Sequence, residues 1–223
     1  MKIAFLGNSL VEGSYGGSFV AHVAAQLPRH TIINAGQNGN TIFNLLARLD
    51  TVLEQQPDAI MVFCGGNDAI SYSQPDTRRY YERVMKVPGG VVMPDPFRTA
   101  FRDLLTRIQA AQILAYAGLS PVEHNPTVVE AMRQYNAIIA EVCDSLNVPT
   151  IDLMSALNPP TIPNRPALNQ ATINLIGQRV SSGWQDYETE RQRGGYTYSF
   201  DGLHLTPQAA EKVAGMVVEF LDL

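Results

Sequence analysis

Short apolar runs recur along the chain, separated by stretches in which apolar residues return at helical spacing. Ile3 to Leu6 is nearly continuous in apolar residues, as expected of a strand covered on both faces, and Gly7 stops it. A turn rich in glycine spans Gly13 to Gly17. Phe19, Val20, Val23, Ala24 and Leu27 then predict a helix over Ser18–Leu27, closed by Pro28. His30–Asn34 reads as a second strand running into the turn formers of Ala35–Thr41, and Ile42, Leu45, Leu46, Leu49 and Leu53 predict one further helix. Ala59–Cys64 is a third buried strand, ending in Gly65-Gly66-Asn67-Asp68.

Residues 71–95 break this alternation with a short helix expected around Thr77–Met85 and a turn-rich tail, the kind of insertion at a strand's carboxyl end that shapes a binding site. Helical spacing resumes over Phe97–Gln109, a fourth strand is expected at Gln112–Tyr116, a long helix at Thr127–Leu146 and a fifth strand at Val148–Leu153. A second insertion covers residues 155–198: a proline-rich loop, then a polar helical stretch from Ala167 to about Gln192, released by Gly194-Gly195. Thr206 and Pro207 are a natural N-cap and first residue for the last helix. Strands alternating with helices imply an α/β fold, with a parallel sheet of about five strands and helices on both faces. With no linker or internal repeat, residues 1–223 read as one domain carrying two insertions.

Composition narrows the partners. Hydrophobic residues make up 45% and charged residues 17%, ample for a core, and the net charge of −5 offers no basic footprint for nucleic acid or an anionic membrane surface. Cys64 and Cys143 lack metal-type spacing and read as small core residues. The first strand has no signal-type segment ahead of it and no apolar stretch reaches about 20 residues, so a cytoplasmic protein without stable membrane association is expected. A homo-oligomer is left open.

In an open parallel sheet ligands bind beyond the carboxyl ends of the strands, which places Asn8 and Ser9 where chemistry is expected. Four polar segments converge there: Gly7–Leu10, Asn38–Thr41, Gly65–Asp68 and Asp201–His204. A serine hydroxyl needs a base within hydrogen-bond reach, a role for His204, and the imidazole needs a carboxylate to orient it and stabilise its charge, a role for Asp201 on the same loop. Backbone N–H groups of Ser9 and Gly39 and the Asn67 amide are plausible donors to an oxyanion.

At these residues the sequence resembles the SGNH (GDSL-type) hydrolase family. The family's Gly-Asp-Ser-Leu block is matched by Gly7-Asn8-Ser9-Leu10, its glycine block by Asn34–Thr41 with Gly39, its Gly-x-Asn-Asp block by Gly65–Asp68, and its Asp-x-x-His block by Asp201–His204. The resemblance implies a flavodoxin-like three-layer fold, a Ser9–His204–Asp201 triad, an oxyanion hole of Ser9, Gly39 and Asn67, no metal or cofactor, and a small-molecule ester of a small or medium acyl group as substrate. Acetylhydrolase-like members fit best, with thioesterase and lysophospholipase activities open. Asn8 departs from the family aspartate; its amide keeps hydrogen-bonding capacity but removes a charge beside the nucleophile.

Other readings compete. Asp152 rivals Asp201 as the carboxylate, although capping at a strand end suits it better, and Asp68 reads as structural. Asn8 and His124 are placed to touch substrate, whereas His22 and His30 read as surface residues. Trp184, Tyr187, Tyr196 and Phe200 line a pocket or pack an insertion down. A non-catalytic binder of a nucleotide or flavin in the same crevice is the alternative from another class, but it leaves Asp201 and His204 without a role.

Overall fold

The computed structural model describes all 223 residues. Its first half contains β1 (Lys2–Gly7), α1 (Ser9–Glu12), α2 (Phe19–Gln26), β2 (Thr31–Gly36), α3 (Ile42–Ala47), α4 (Leu49–Leu53), β3 (Ala59–Phe63), α5 (Gly66–Ser73), α6 (Arg78–Arg83) and α7 (Pro94–Ala110). The second half contains β4 (Leu114–Leu119), α8 (Pro126–Ser145), β5 (Thr150–Asp152), α9 (Leu153–Ala156), α10 (Gln170–Ser182), α11 (Tyr187–Gly194) and α12 (Pro207–Leu221). The five strands form one sheet in the order β2-β1-β3-β4-β5, and every pair is parallel. This is the flavodoxin-like doubly wound order, whose direction reverses between β1 and β3. The turns after those two strands carry Ser9 and Asn67, so the topology opens a crevice between them.

The continuous apolar runs of β1 and β3 follow from burial on both faces. Ala4, Leu6, Ile60 and Val62 face a core completed by α3, α4, α5, α7 and α8, with Leu45, Phe101, Leu104 and Tyr135 among its fully buried side chains. Ile3, Phe5, Met61 and Phe63 face the opposite core, completed by α2 and α12 through Phe19, Val23, Val213 and Val217. Cys64 and Cys143 are both buried and unbridged. No helix is long and apolar enough to cross a membrane.

Several expected boundaries shift for local reasons. Ser9 does not lie in an open turn but starts α1, a helix stopped by Gly13 in the left-handed region. The single helix expected over Ile42–Leu53 divides at Arg48, whose backbone (φ −110°, ψ 9°) leaves helical geometry. The fourth strand starts at Leu114 rather than Gln112, because Gln112 turns the chain at φ 59°. The long helix expected over 167–192 is two helices, α10 and α11, broken at Gly183.

Candidate active site

Asn8 is the N-cap of α1, its side-chain oxygen accepting the Leu10 N–H at 3.0 Å, and this fixes the turn that presents Ser9. Across the crevice, the loop ahead of α12 holds Asp201 and His204. Asp201 Oδ1 accepts the N–H groups of Leu203 and His204 at 2.9 and 2.8 Å, while Oδ2 lies 2.8 Å from His204 Nδ1. His204 Nε2 lies 3.0 Å from Ser9 Oγ. Burial pushes the Asp201 carboxyl up, but the neighbouring His204 charge and hydrogen bond and the two backbone donors hold it below its usual range. An ionised Asp201 in this position selects the imidazole tautomer with Nδ1 protonated and leaves the Nε2 lone pair for the serine proton.

Gly39 and Asn67 complete the crevice. Gly39 adopts φ 77°, and a Cβ there would stand 2.5 Å from the Tyr80 hydroxyl, so a side chain is excluded on both counts. Its N–H donates to no protein acceptor, and Ser9, as the first residue of α1, has no intrahelical acceptor for its own. The Asn67 amide is clamped: Nδ2 donates to the Asn40 carbonyl at 3.0 Å, and Oδ1 accepts the Tyr81 hydroxyl at 2.8 Å. One hydrogen on Nδ2 remains for a third partner. Around Ser9, these are donors left without a protein acceptor.

Two cavities meet at the serine, both lined by Ser9, Asn67, Ile70, Leu203 and His204. The smaller, about 50 Å³, adds Asn8, Leu10, Ser120 and Met132; the larger, about 290 Å³, adds Gly39, Tyr80 and one side of α10. Roomier clefts lie elsewhere, one of about 440 Å³ beside β4 and α8, but none of its lining residues belongs to the four converging segments. Asp152 lines that other cleft and caps α9, its carboxylate accepting the Ser155 N–H and hydroxyl, so it does not compete for His204.

His124 lines neither cavity at Ser9. It is buried behind the triad loop, with Nδ1 3.1 Å from the Asp201 carbonyl oxygen and Nε2 3.2 Å from that of Pro166. Trp184, Tyr187 and Phe200 also stay out of both cavities; they cluster around Tyr15, whose ring meets His204 edge-on at 5.0 Å. Trp184 and Tyr187 of the second insertion therefore pack it down on Tyr15 and Phe200, the two rings that meet His204, while Tyr196 faces His124.

Three supporting side chains escape sequence reasoning. Glu123 is fully buried, and its carboxylate accepts the N–H groups of Thr197, Tyr198 and Ser199 and the Ser199 hydroxyl, organising the segment just before Asp201. Arg48 donates to the carbonyls of Gly7 and Ala35 and to Asn40 Oδ1, tying together the turns after β1 and β2. Burial lowers its guanidinium only to about 10, so it stays charged at neutral pH. Tyr81, on α6 of the first insertion, orients Asn67 as described. The one available signal was an isolated charged or hydrogen-bonding residue next to a motif.

Asp68 is structural in its contacts: Oδ1 accepts the Ile42 N–H at 2.9 Å and Oδ2 is buried without a partner. Burial raises its carboxyl from 3.8 to about 7. Folded Asp68 thus holds a proton that the unfolded chain has already released. Its contribution to stability is complete below the unfolded value and is lost as pH rises through the folded one. The melting temperature of the wild type should accordingly fall relative to Asp68→Asn between pH 4 and about 7. A difference that stays constant over that range would contradict a buried, neutral acid.

Residues 5–212 match the model of the GDSL-like Lipase/Acylhydrolase family. No curated protein matches the sequence. Among solved structures, the fold is similar to the acetylxylan esterase Axe2 from Geobacillus stearothermophilus, with a TM-score of 0.68 and 18% identity over 100% of this chain and 94% of that one. It is similar also to the acetyl xylan esterase AlAXEase (TM-score 0.66, 18% identity, 98% of each chain). A lipase/acylhydrolase from Enterococcus faecalis matches with a TM-score of 0.64 and 19% identity over 98% of this chain and 93% of that one. With the family model spanning all but the ends of the sequence, the chain belongs to the GDSL-like lipase/acylhydrolase family and is a carboxylic ester hydrolase.

Proposed function

We propose that the protein hydrolyses carboxylic esters by acyl transfer to Ser9, with His204 as general base and then general acid, Asp201 as its orienting carboxylate, and Ser9, Gly39 and Asn67 as oxyanion donors. The observation that carries this reading is the unbroken hydrogen-bonded line from Asp201 Oδ2 through His204 to Ser9 Oγ, at 2.8 and 3.0 Å. Ser9 Oγ attacks the ester carbonyl as its proton passes to His204 Nε2, and the carbonyl oxygen gains charge beside the three donors. His204 then gives that proton to the departing alcohol. Water then attacks the acyl carbon as it gives a proton to the same nitrogen, and His204 returns that proton to Ser9 Oγ as the C–Oγ bond breaks and the acid leaves. In this reading the segments 71–95 and 155–198 are additions to one hydrolase domain, the first supplying Tyr81 behind Asn67 and the second a wall of the larger cavity.

A fluorophosphonate, which phosphonylates an activated serine with loss of fluoride, tests the assignment. Wild-type protein should be labelled stoichiometrically on Ser9, and Ser9→Ala should take up no label while melting as the wild type does. Labelling that survives in Ser9→Ala, or its absence in a folded wild type, would refute the nucleophile.

A further inference from the structure

The amphipathic helices α7, α8 and α12 bury their apolar stripes in the two cores, but α10 has no buried residue at all. Its Ile173, Ile176, Gly177 and Val180 fall at i, i+3, i+4 and i+7, a single stripe, and all four line the larger cavity together with Ser9 and His204. Ile70, Tyr80 and Tyr81, from α5 and α6, add apolar lining, as does Leu168 just ahead of α10. An apolar helix stripe over the nucleophile, uncovered by protein, is a surface that burial of hydrocarbon would stabilise. Its occupant shares a cavity with Ser9 Oγ, so it is part of the ester itself.

Gly177 adds to this. It sits inside an uninterrupted helical run, where glycine is the least favourable residue after proline. Neither a turn nor a close neighbour demands it, since a Cβ there would meet nothing within 4 Å. What the missing side chain does is leave the cavity open at the middle of the stripe. Polar anchoring at both ends holds the wall in place: the Leu168 N–H donates to Gln74 Oε1 at 2.8 Å, and Arg179 pairs with Glu190 and lies 4.0 Å over the Trp184 ring.

Building on the Ser9 reading, we infer that the substrate is an ester with one long hydrocarbon branch lying under α10, its length set by Gly177, and one short branch in the 50 Å³ cavity. The stripe from Ile173 to Val180 runs about 10 Å along the helix axis, roughly the length of an extended eight-carbon chain, whereas the 50 Å³ cavity is several-fold smaller than the 290 Å³ one and suits a short branch. A polysaccharide branch lying along the stripe fits it poorly, because its hydroxyls would face Ile173, Ile176 and Val180, with only Thr172 and Ser181 as polar side chains of α10 at the cavity. The hydrocarbon branch has two chemical sources, the acyl chain or the alcohol.

Two substrate series, methyl esters of n-alkanoic acids from acetate to decanoate and n-alkyl acetates from methyl to decyl, separate the sources in the intact chain. One series should show kcat/KM rising about 3- to 4-fold per added methylene up to roughly eight carbons, while the other falls after two or three. Gly177→Leu should move the optimum of the rising series shorter by about two carbons and lower its long-to-short rate ratio at least tenfold, on the order of the methylenes displaced. Val180→Phe fills the same cavity from an exposed position and should act in the same direction should Gly177→Leu not fold. A maximum at the shortest member of both series would overturn the hydrocarbon assignment, and so would an unchanged optimum in a folded Gly177→Leu or Val180→Phe. Equal rises in both series would remove the short-branch assignment. By contrast, a protein that turns over no ester and takes no fluorophosphonate label would refute the Ser9 reading beneath it.

Discussion

Replacing Asp201 by asparagine is expected to lower kcat by about 10³–10⁴ with little change in melting temperature. The asymmetry follows from how the carboxylate is used. Oδ1 serves the backbone, accepting from Leu203 and His204, and an amide oxygen can take over those two bonds. That choice turns the amide NH₂ toward His204 Nδ1, which must then accept. The imidazole is forced into the tautomer protonated on Nε2, and the nitrogen facing Ser9 Oγ at 3.0 Å has no lone pair to offer. The opposite rotamer would set the NH₂ against two N–H donors and lose both bonds. Steady-state rates on a p-nitrophenyl ester, paired with thermal melting, decide the matter: a loss below tenfold in a folded variant would show that Asp201 is not the orienting carboxylate.

The parts of this site that sequence made visible are those whose chemistry and position coincide locally. Ser9 and Asn67 each follow an apolar strand within a few residues and His204 stands just ahead of the capped last helix, so strand ends and that N-cap marked where the converging segments lie. The sheet was legible for the same reason, since burial on both faces leaves unbroken apolar runs in β1 and β3. Two of the three supporting residues that stayed hidden, Glu123 and Arg48, act across long sequence separations and largely on backbone atoms. Glu123 binds N–H groups more than 70 residues away, and Arg48 binds the Gly7 carbonyl 41 residues back. A side chain that pairs with backbone leaves no complementary residue type to find. Arg48 also ended a helix that its neighbours' spacing would have continued, because its turn inward is driven by carbonyl acceptors at the ends of β1 and β2. Asn8 lies between these cases. Its position signalled a site residue, while its contact, a cap on Leu10, bears on the shape of the turn that holds the serine.

Truncating Asn67 to alanine is the second large effect, an expected loss of about 10²–10³ carried in kcat rather than KM. The free hydrogen of its amide has little to donate to in the ground state, and its value appears when the carbonyl oxygen becomes an anion. Its effectiveness depends on being held before the reaction starts. Donation to the Asn40 carbonyl at 3.0 Å and acceptance from the Tyr81 hydroxyl at 2.8 Å fix both the plane and the flip state of the amide. Tyr81→Phe removes one of those restraints and keeps the ring that lines the larger cavity, so a loss of about 5- to 10-fold is expected, the worth of one hydrogen bond of about 1 kcal/mol. Because Tyr81 acts through Asn67, the double variant should be no slower than Asn67→Ala alone. Additive losses in that cycle would mean that Tyr81 influences the reaction by another route, and a loss in KM alone on truncating Asn67 would place the amide on the substrate rather than on the oxyanion.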